Sequence, residues 1–254
     1  MIELEHVGKT YGSQGTQAVG DVSLRVEAGQ FVSIVGPSGC GKSTILNMIA
    51  GFVAPSAGRV AVAGRGVSER IPEGLGYIFQ KDTLLPWLTV RGNVALGLRF
   101  HRIPRAEADR RIDALLALAH LTGFGATFPH QLSGGMRRRV ALCMSLAVQP
   151  RILLLDEPFS ALDMHTRTHL HGELLEIWRT LRQTIVMVTH DLDEAISLSD
   201  RVVVLSGPPS RVLLDEAITI PHPRDVFALR QTEAFSRHYQ TIWSILGQQF
   251  RAAA

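Results

Sequence analysis

The stretch FVSIVGPSGCGKSTILNMIAGF, residues 31–52, constrains the fold of this chain more than any other. It consists of a continuous apolar run, a glycine-rich loop, and a run with the apolar spacing of a helix. The loop from Gly36 to Thr44 fits the pattern G-x-x-x-x-G-K-[ST], which requires a strand before it and a helix after it. Glycines let the backbone curl so that successive N–H groups face phosphate oxygens. The sequence therefore predicts a strand, a phosphate-binding loop and a helix, in that order.

The polar positions of this loop have distinct predicted roles. Lys42 can reach the β- and γ-phosphates of a nucleotide, Ser43 can bind Mg²⁺ through its hydroxyl, and Thr44 can add a phosphate contact. An incidental lysine in a glycine-rich turn is the alternative, but the flanking strand and helix argue against it. The residues expected around the phosphates are Gly36, Pro37, Ser38, Gly39, Cys40, Gly41, Lys42, Ser43 and Thr44.

A second candidate element is ILLLDEP, residues 152–158. Its apolar residues predict a strand that is buried on both faces. Asp156 ends this strand and should lie beside the phosphate loop, because ligands bind at the carboxyl edge of parallel sheets. There it could hold Mg²⁺. Glu157 follows the strand end and could orient or deprotonate a water that attacks a phosphate.

Three further side chains are candidates because of their positions. Gln80 is predicted to end the strand YIFQ and could contact the metal or the water. His190 is predicted to end IVMVTH and could contact the γ-phosphate, although histidines at strand ends also serve structural roles. Tyr11 could stack on an adenine ring, and an ordinary buried tyrosine is the alternative.

The stretch LSGGMRRR, residues 132–139, predicts a second place for an anion. Ser133 has the position of a helix N-cap before a long apolar run. The free N–H groups at such a helix start attract anions. Because Ser133, Gly134 and Gly135 bring neither a lysine nor a metal ligand, this segment provides only half of a phosphate site.

The remaining pattern predicts one α/β core with an insertion. Alternating polar and apolar residues in IELEHV and DVSLRVEAG predict two half-buried strands. Strands and helices alternate from residue 151 onwards, which favours a parallel α/β core. We expect the core to comprise 1–80 and 150–220, with a helical insertion at 81–149. Residues 221–254 are predicted to form a mostly helical tail that packs locally.

Composition excludes several classes of protein. The net charge is +3 and the longest basic block is RRR, so nucleic-acid binding is not expected. The longest apolar run, Val140 to Val148, is far shorter than the ~18 residues of a membrane span. The N-terminus has no apolar run behind basic residues, so no signal peptide is expected. The two cysteines suit a reducing compartment.

In this order, the phosphate loop, Gln80, LSGGM, ILLLDE, SALD and TH resemble the ATP-binding subunit of ABC transporters. The resemblance extends from Ile2 to about Leu246. The stretches FQKDTLLPWLTVRGNV, PHQLSGGMRRRV and VTHDLDEAISLSDRVVVLS are most similar to importers of the nitrate, sulfonate and taurine type. The resemblance implies a P-loop NTPase core with a parallel sheet, an N-terminal antiparallel β subdomain and an inserted α-helical lobe, all within one domain over 1–254.

The resemblance also implies a mechanism that uses ATP and Mg²⁺. Two such domains pair head to tail, so that Ser133, Gly134 and Gly135 of one cover the γ-phosphate held by the other. Asp163 of SALD would lie at the seam between them. The second domain could be another copy of this chain or a homologue.

By the same resemblance, the chain is a peripheral subunit at the cytoplasmic face of the membrane. It would power solute uptake through a separate permease, supplied by a solute-binding protein outside. The permease contact is expected in an apolar segment after Gln80, for which packing inside the helical lobe is the alternative. The residues of this segment are Leu84, Leu85, Pro86 and Trp87.

Other functions remain open at this stage. A soluble ABC ATPase would usually carry two such domains or a long coiled coil, and an exporter is often fused to its membrane domain. Four intact residues argue against a module that only uses nucleotide as a switch: Lys42, Asp156, Glu157 and His190. The solute could be a sulfonate, taurine, nitrate, a pyrimidine or another small organic molecule. Cys143 and Met144 stand where the family usually has an alanine and an arginine.

Overall fold

The computed structural model describes residues 1–12, 15–68, 70–81, 83–160 and 162–252. Its strands are β1 Ile2–Tyr11, β2 Thr16–Val26, β3 Phe31–Val35, β4 Ala57–Val62, β5 Arg65–Gly66, β6 Leu75–Ile78, β7 Ile152–Asp156, β8 Thr184–Val188, β9 Arg201–Leu205 and β10 Ser210–Ala217. Its α-helices are α1 Lys42–Ile49, α2 Val90–Phe100, α3 Arg105–Leu118, α4 Gly134–Ala147, α5 Met164–Leu181, α6 Leu192–Leu198 and α7 Glu233–Ala252. None of the helices in these ranges is long and apolar enough to cross a membrane.

One sheet connects all the described strands, in the order β5-β4-β1-β2-β10-β9-β3-β8-β7-β6. The strands from β9 to β6 in this order are parallel, whereas β5, β4, β1 and β2 are antiparallel. This confirms the predicted α/β class with a parallel core and an N-terminal antiparallel part. The sequence analysis left β10 unassigned, and this strand joins the two parts because it pairs with both β2 and β9.

The central strands are buried because helices cover both faces of the sheet. Every residue of β3, β7 and β8 is buried, as their continuous apolar sequences predict. The α1 side chains pack on one face together with residues of β1, β2 and β4. On the other face α5 contributes Leu174 and Trp178, and the Trp178 ring meets Phe31 edge to face at 5.8 Å.

Helices α2, α3 and α4 pack together around their own apolar cluster. Val94 and Leu98 of α2 meet Ile112 and Leu116 of α3 and Cys143 of α4. Helix α4 also carries Leu142 and Leu146, which pack into the cluster beneath the sheet. Helix α4 therefore connects the helical lobe to the sheet.

The predicted helical tail over 221–254 contains helix α7, but its first part is not helical. Helix α7 begins only at Glu233, and residues 221–232 contain turns and one short 3-10 helix. Two prolines in this segment lack the N–H that a helix needs. The guanidinium of Arg224 holds the segment by donating to carbonyls at the C-terminal end of α6. Its acceptors there are Ile196, Ser197 and Ser199.

Candidate active site

The phosphate loop lies between β3 and α1. Two of its glycines, Gly36 and Gly41, stand where neighbouring atoms leave no room for a side chain. Gly41 caps α1 with φ at 89°, a left-handed conformation that side chains disfavour. A Cβ on Gly41 would lie 2.9 Å from Cγ2 of Val19 and 3.0 Å from the carbonyl oxygen of Ala18. A Cβ on Gly36 would lie 2.8 Å from Sγ of Cys40. The close approach of strand β2 therefore fixes the course of this loop.

The ammonium of Lys42 is held across the loop. Its Nζ donates to the carbonyl oxygens of Gly36 and Pro37, at 2.9 Å each. The lysine side chain is buried, so its charge is poorly screened by solvent. Cys40 is also buried, and this burial raises the pKa of its thiol. The loop thus presents a fixed positive charge rather than a reactive thiolate.

Asp156 lies next to the start of α1, as the order of parallel strands predicts. The Ser43 hydroxyl donates to its Oδ1 at 2.8 Å. The Tyr77 hydroxyl lies 3.3 Å from its Oδ2 and 3.1 Å from Oδ1 of Asn47. Burial raises the pKa of Asp156, and the hydrogen bonds from Ser43 and Tyr77 oppose that shift. A carboxylate and a hydroxyl beside a phosphate loop fit Mg²⁺, which takes few protein oxygens together with water and phosphate oxygens.

Glu157 leaves the line of β7 because its backbone φ is 43°. Its N–H donates to the carbonyl oxygen of Val188 at 2.9 Å, which fixes this turn against β8. Its Oε2 accepts a hydrogen bond from Nε2 of Gln80 at 2.9 Å and lies 3.2 Å from Nδ1 of His190. Three side chains that the sequence singled out separately therefore meet at one carboxylate oxygen.

The predicted strand ends at Gln80 and His190 are wrong by two residues. Strand β6 ends at Ile78 and β8 at Val188, so both side chains lie in the segments beyond the sheet. This position lets Gln80 and His190 reach Glu157 from opposite neighbouring strands.

A buried network holds the segment that carries His190. The Thr189 hydroxyl donates to Oε2 of Glu194 at 2.6 Å and accepts from the N–H of Asp191 at 3.0 Å. Asp191 caps α6, and its Oδ2 accepts a hydrogen bond from Nη1 of Arg167 at 2.7 Å. The position of His190 is therefore determined by α5 and α6 as well as by β8.

Ser133 is the N-cap of α4, as predicted. Its Oγ accepts a hydrogen bond from the N–H of Met136 at 3.2 Å, and Ser133 and Gly134 are exposed. Gly135 is buried, and a Cβ there would lie 2.6 Å from Cγ2 of Thr166. This helix start belongs to the helical lobe, whereas the phosphate loop belongs to the sheet.

Asp163 is exposed at the start of α5. Its Oδ1 accepts a hydrogen bond from the N–H of Thr166 at 3.0 Å, and this bond lowers the pKa of Asp163. Ala161 of the same SALD motif and Asp82 of the segment after Gln80 lie outside the described residues.

The remaining candidate contact residues differ in how exposed their side chains are. Tyr11 is 40% exposed, and Nζ of Lys9 lies 5.2 Å from its ring centroid, so it is not an ordinary buried tyrosine. Trp87 is 70% exposed, and Pro86 is also exposed. Leu84, in contrast, packs against the apolar cluster of the helical lobe. Packing inside the lobe therefore accounts for Leu84 but not for Trp87.

Sequence reasoning missed Tyr77, Arg138 and Arg167. Arg138 of the block RRR precedes the buried Leu142 by about one helical turn. Residues four apart share a helix face, so the burial of Arg138 could have been predicted from that spacing. No comparable local signal pointed to Tyr77 or Arg167.

A phosphate loop beside the central strands of a parallel sheet, with two carboxylates at the end of β7, defines a P-loop nucleoside triphosphatase. A family model described as ABC transporter matches residues 19–160, which is more than half of the chain. The chain therefore belongs to the ABC transporter family and is an ATPase of that family.

Two relatives illustrate the similarity in sequence. The nitrate import ATP-binding protein NrtC of Synechococcus elongatus is 41% identical over 257 residues, which cover 99% of this chain and 39% of NrtC. The taurine import ATP-binding protein TauB of Pseudomonas putida is 43% identical over 213 residues, covering 84% of this chain and 81% of TauB. This chain thus spans well under half of NrtC but most of TauB.

Solved structures agree with the fold. A dimeric post-hydrolysis state of the ATP-binding cassette MJ0796, bound to ADP and Pi, superposes with a TM-score of 0.76 at 33% identity. That alignment covers 87% of this chain and 100% of the other. The cbiO1 protein of Clostridium perfringens, part of the transporter complex cbiONQ, has a TM-score of 0.79 at 27% identity and covers 98% of each chain.

Proposed function

We propose that this chain is the ATP-hydrolysing subunit of an importer, which powers uptake of a small solute through a separate membrane permease. The observation that carries the proposal is the convergence of Gln80 and His190 on Glu157, beside the Ser43–Asp156 pair. A module that only binds nucleotide does not need a carboxylate oriented by two neighbours at the edge of a phosphate loop.

The phosphates of ATP are bound by the loop and by the charge of Lys42. Ser43 and Asp156 would hold Mg²⁺, which would supply positive charge to neutralise the phosphate oxygens. Their hydroxyl and carboxylate are already adjacent at 2.8 Å, so the protein contributes a preformed pair of oxygens. Tyr11, exposed at the end of β1, stacks on the adenine ring.

Glu157 orients and deprotonates the attacking water. The amide of Gln80 and the ring of His190 hold its Oε2 on opposite sides, which restricts the rotation of the carboxylate. A positioned base and a fixed positive charge are the two main contributions that proteins make to phosphoryl transfer. His190 can also face the γ-phosphate, since its ring is exposed beyond the carboxylate.

The complete site requires two domains. Ser133, Gly134 and Gly135 offer helix N–H groups to a phosphate but supply no cation, so they complete the site of a partner domain. Asp163 lies at the seam, and its carboxylate is already held by its own helix start. The partner is a second copy of this chain or a homologue.

The transport partner is an integral membrane permease that contacts the exposed segment around Pro86 and Trp87. The chain then lies at the cytoplasmic face of the membrane as a peripheral subunit, and a solute-binding protein outside delivers the cargo. The similarity to TauB and NrtC supports a solute of the taurine, sulfonate or nitrate type. A different small organic solute is the second candidate, because this chain does not itself contact the cargo.

The test is ATP turnover of the isolated chain as a function of protein concentration, with wild type beside Ser133→Arg. We expect the turnover per chain to rise as protein concentration is raised, and Ser133→Arg to abolish turnover while ATP still binds. Ser244→Arg is the control, since it adds the same charge at an exposed serine of α7. Turnover that is independent of concentration and unaffected by Ser133→Arg would refute the shared site.

A further inference from the structure

Helix α4 carries a buried arginine whose guanidinium binds backbone carbonyls of the candidate active site. Arg138 is 7% exposed, and its side chain donates to four backbone carbonyls. Nη1 donates to Phe79 at 2.8 Å, and Nη2 lies 3.2 Å from the carbonyl oxygen of Gln80. Nη2 also lies 3.2 Å from the carbonyl oxygen of Glu157, and Nε donates to that of Pro158.

These four carbonyls belong to two segments that end neighbouring strands. Phe79 and Gln80 follow β6, whereas Glu157 and Pro158 follow β7. A guanidinium is planar and its donors are fixed relative to one another, so carbonyls that bind it are held at set separations. Arg138 therefore fixes the distance between the two backbones whose side chains form the Gln80–Glu157 hydrogen bond.

Burying a cation is costly unless hydrogen bonds compensate. Four carbonyls of the candidate active site contribute to this compensation, so the buried charge is coupled to the local geometry there. We propose that Arg138 is a positioning residue, which sets the Gln80–Glu157 contact from helix α4. This inference rests on the proposed function, because it assumes that Glu157 is the base.

The position of Arg138 also connects the two halves of the paired sites. Ser133 and Arg138 are five residues apart on α4, a rise of about 7.5 Å. In the head-to-tail pair, Ser133 contacts the nucleotide of the partner while Arg138 holds Glu157 of its own chain. In such a pair Arg138 links the helix whose start contacts the partner's nucleotide to the backbone that carries this chain's own Glu157.

The first experiment compares steady-state ATP hydrolysis of wild type, Arg138→Lys and Arg138→Gln. Lysine keeps the charge but lacks the planar fork, and the glutamine amide can serve at most two of the four carbonyls. We expect kcat to fall roughly 10- to 100-fold in both, because small misplacements of a reacting group have effects of that order. The KM for ATP should stay within about twofold, since the phosphate loop is not altered.

The matched control is Arg139→Lys. Arg139 is the next residue on α4, and its guanidinium pairs with Glu173 of α5 at 3.0 Å instead of with the site. We expect this variant to hydrolyse ATP like wild type. Equal losses in Arg138→Lys and Arg139→Lys would assign the effect to general weakening of α4 and overturn the proposal.

The second experiment combines Arg138→Lys with Gln80→Ala. If Arg138 acts by positioning Gln80 and Glu157, the double variant should be no slower than the slower single variant. If the losses in kcat of the two single variants multiply in the double variant, the two residues act independently and the proposal is overturned. A rise in KM with unchanged kcat would assign Arg138 to nucleotide binding and would also overturn it.

The Ser133→Arg variant separates this inference from the shared site. If Ser133→Arg is inactive and the Arg138 variants lower kcat alone, both proposals stand. If Ser133→Arg hydrolyses ATP normally while Arg138→Lys still lowers kcat alone, the shared site fails and the positioning role remains. Should Arg138→Lys not fold, Arg138→Gln provides the same comparison.

Discussion

At the scale of single residues, the site depends on backbone conformations that most side chains avoid. Gly41 has φ at 89° and Glu157 has φ at 43°. A left-handed conformation costs roughly 1–2 kcal/mol for a residue other than glycine. Glu157 adopts this conformation despite its cost. As a result, the side chains of Asp156 and Glu157 point in different directions although the two residues are adjacent in sequence. One faces Ser43 and the other faces Gln80.

We expect Gly41→Ala to lower the free energy of unfolding by about 2–4 kcal/mol, from the left-handed φ and from crowding by β2. The new methyl group would lie 2.9 Å from Cγ2 of Val19, so ATP binding should be lost as the loop shifts. Thermal or urea unfolding and a nucleotide-binding assay measure the two effects.

Gly64→Ala is the control for this substitution. Gly64 has a similar φ of 75°, but nothing lies within 4 Å of its Cβ position. Its variant should lose only about 1 kcal/mol of unfolding free energy and bind ATP normally. Equal losses in the two variants would mean that β2 does not constrain the phosphate loop.

At the scale of elements, the buried side chain of Asn93 anchors the part of the segment between β6 and α2 that lies next to α2. Asn93 is fully buried, and its amide bonds to backbone atoms of Leu85, Leu88 and Thr89. This fixes the backbone and leaves Trp87 exposed between its anchored neighbours. An exposed aromatic on an anchored segment is typical of a contact surface.

We expect Trp87→Glu to reduce solute transport by the assembled importer while basal ATP hydrolysis stays within about twofold of wild type. Because the ring is 70% exposed, the unfolding free energy should change by less than about 0.5 kcal/mol. Transport into proteoliposomes and ATP turnover of the isolated chain are the measurements.

Phe100→Glu is the matched control, because Phe100 is 80% exposed at the other end of α2. It should not affect transport. If Trp87→Glu lowered transport and ATP hydrolysis to the same extent, or if Phe100→Glu had the same effect, the proposed permease contact would be wrong.

Most elements could be predicted from the sequence because their patterns are local. The phosphate loop, β7 and the start of α4 each carry their signal within a few residues. Strand β10 could not be predicted, because it pairs with β2 and β9, which are distant in sequence. The four carbonyl contacts of Arg138 could not be predicted for the same reason, since its acceptors lie 19 to 59 residues away in sequence.

At the scale of the whole molecule, the phosphate loop and the start of α4 at Ser133 lie on different parts of the fold. If these meet only between chains, a closed pair holds two sites and each site draws on both chains. The dimeric structure of MJ0796 with ADP and Pi is an arrangement of two such cassettes. The proposal therefore predicts that two inactive variants can restore each other.

We expect a mixture of Ser133→Arg and Glu157→Gln chains to hydrolyse ATP although neither variant does so alone. In a mixed pair, one site combines both substitutions and the other combines none. Random pairing gives mixed pairs in half of the dimers, so an equal mixture should reach up to about one quarter of wild-type turnover. The chains are mixed before ATP is added, and phosphate release is measured.

A mixture of Glu157→Gln with Lys42→Ala chains is the control. Both substitutions affect the same half of a site, so each site of a mixed pair is defective and no turnover should return. Activity in this control, or none in the first mixture, would show that the site is not divided between chains.

Because each site is divided between two chains, the pairing determines how the two sites can evolve. In a symmetric pair a single codon determines the same residue in both sites, so every substitution is doubled and the two sites stay equivalent. Only pairing with the product of another gene would let one site remain active while the other becomes inert. The start of α4 and the loop before α1 would then be free to diverge in different subunits.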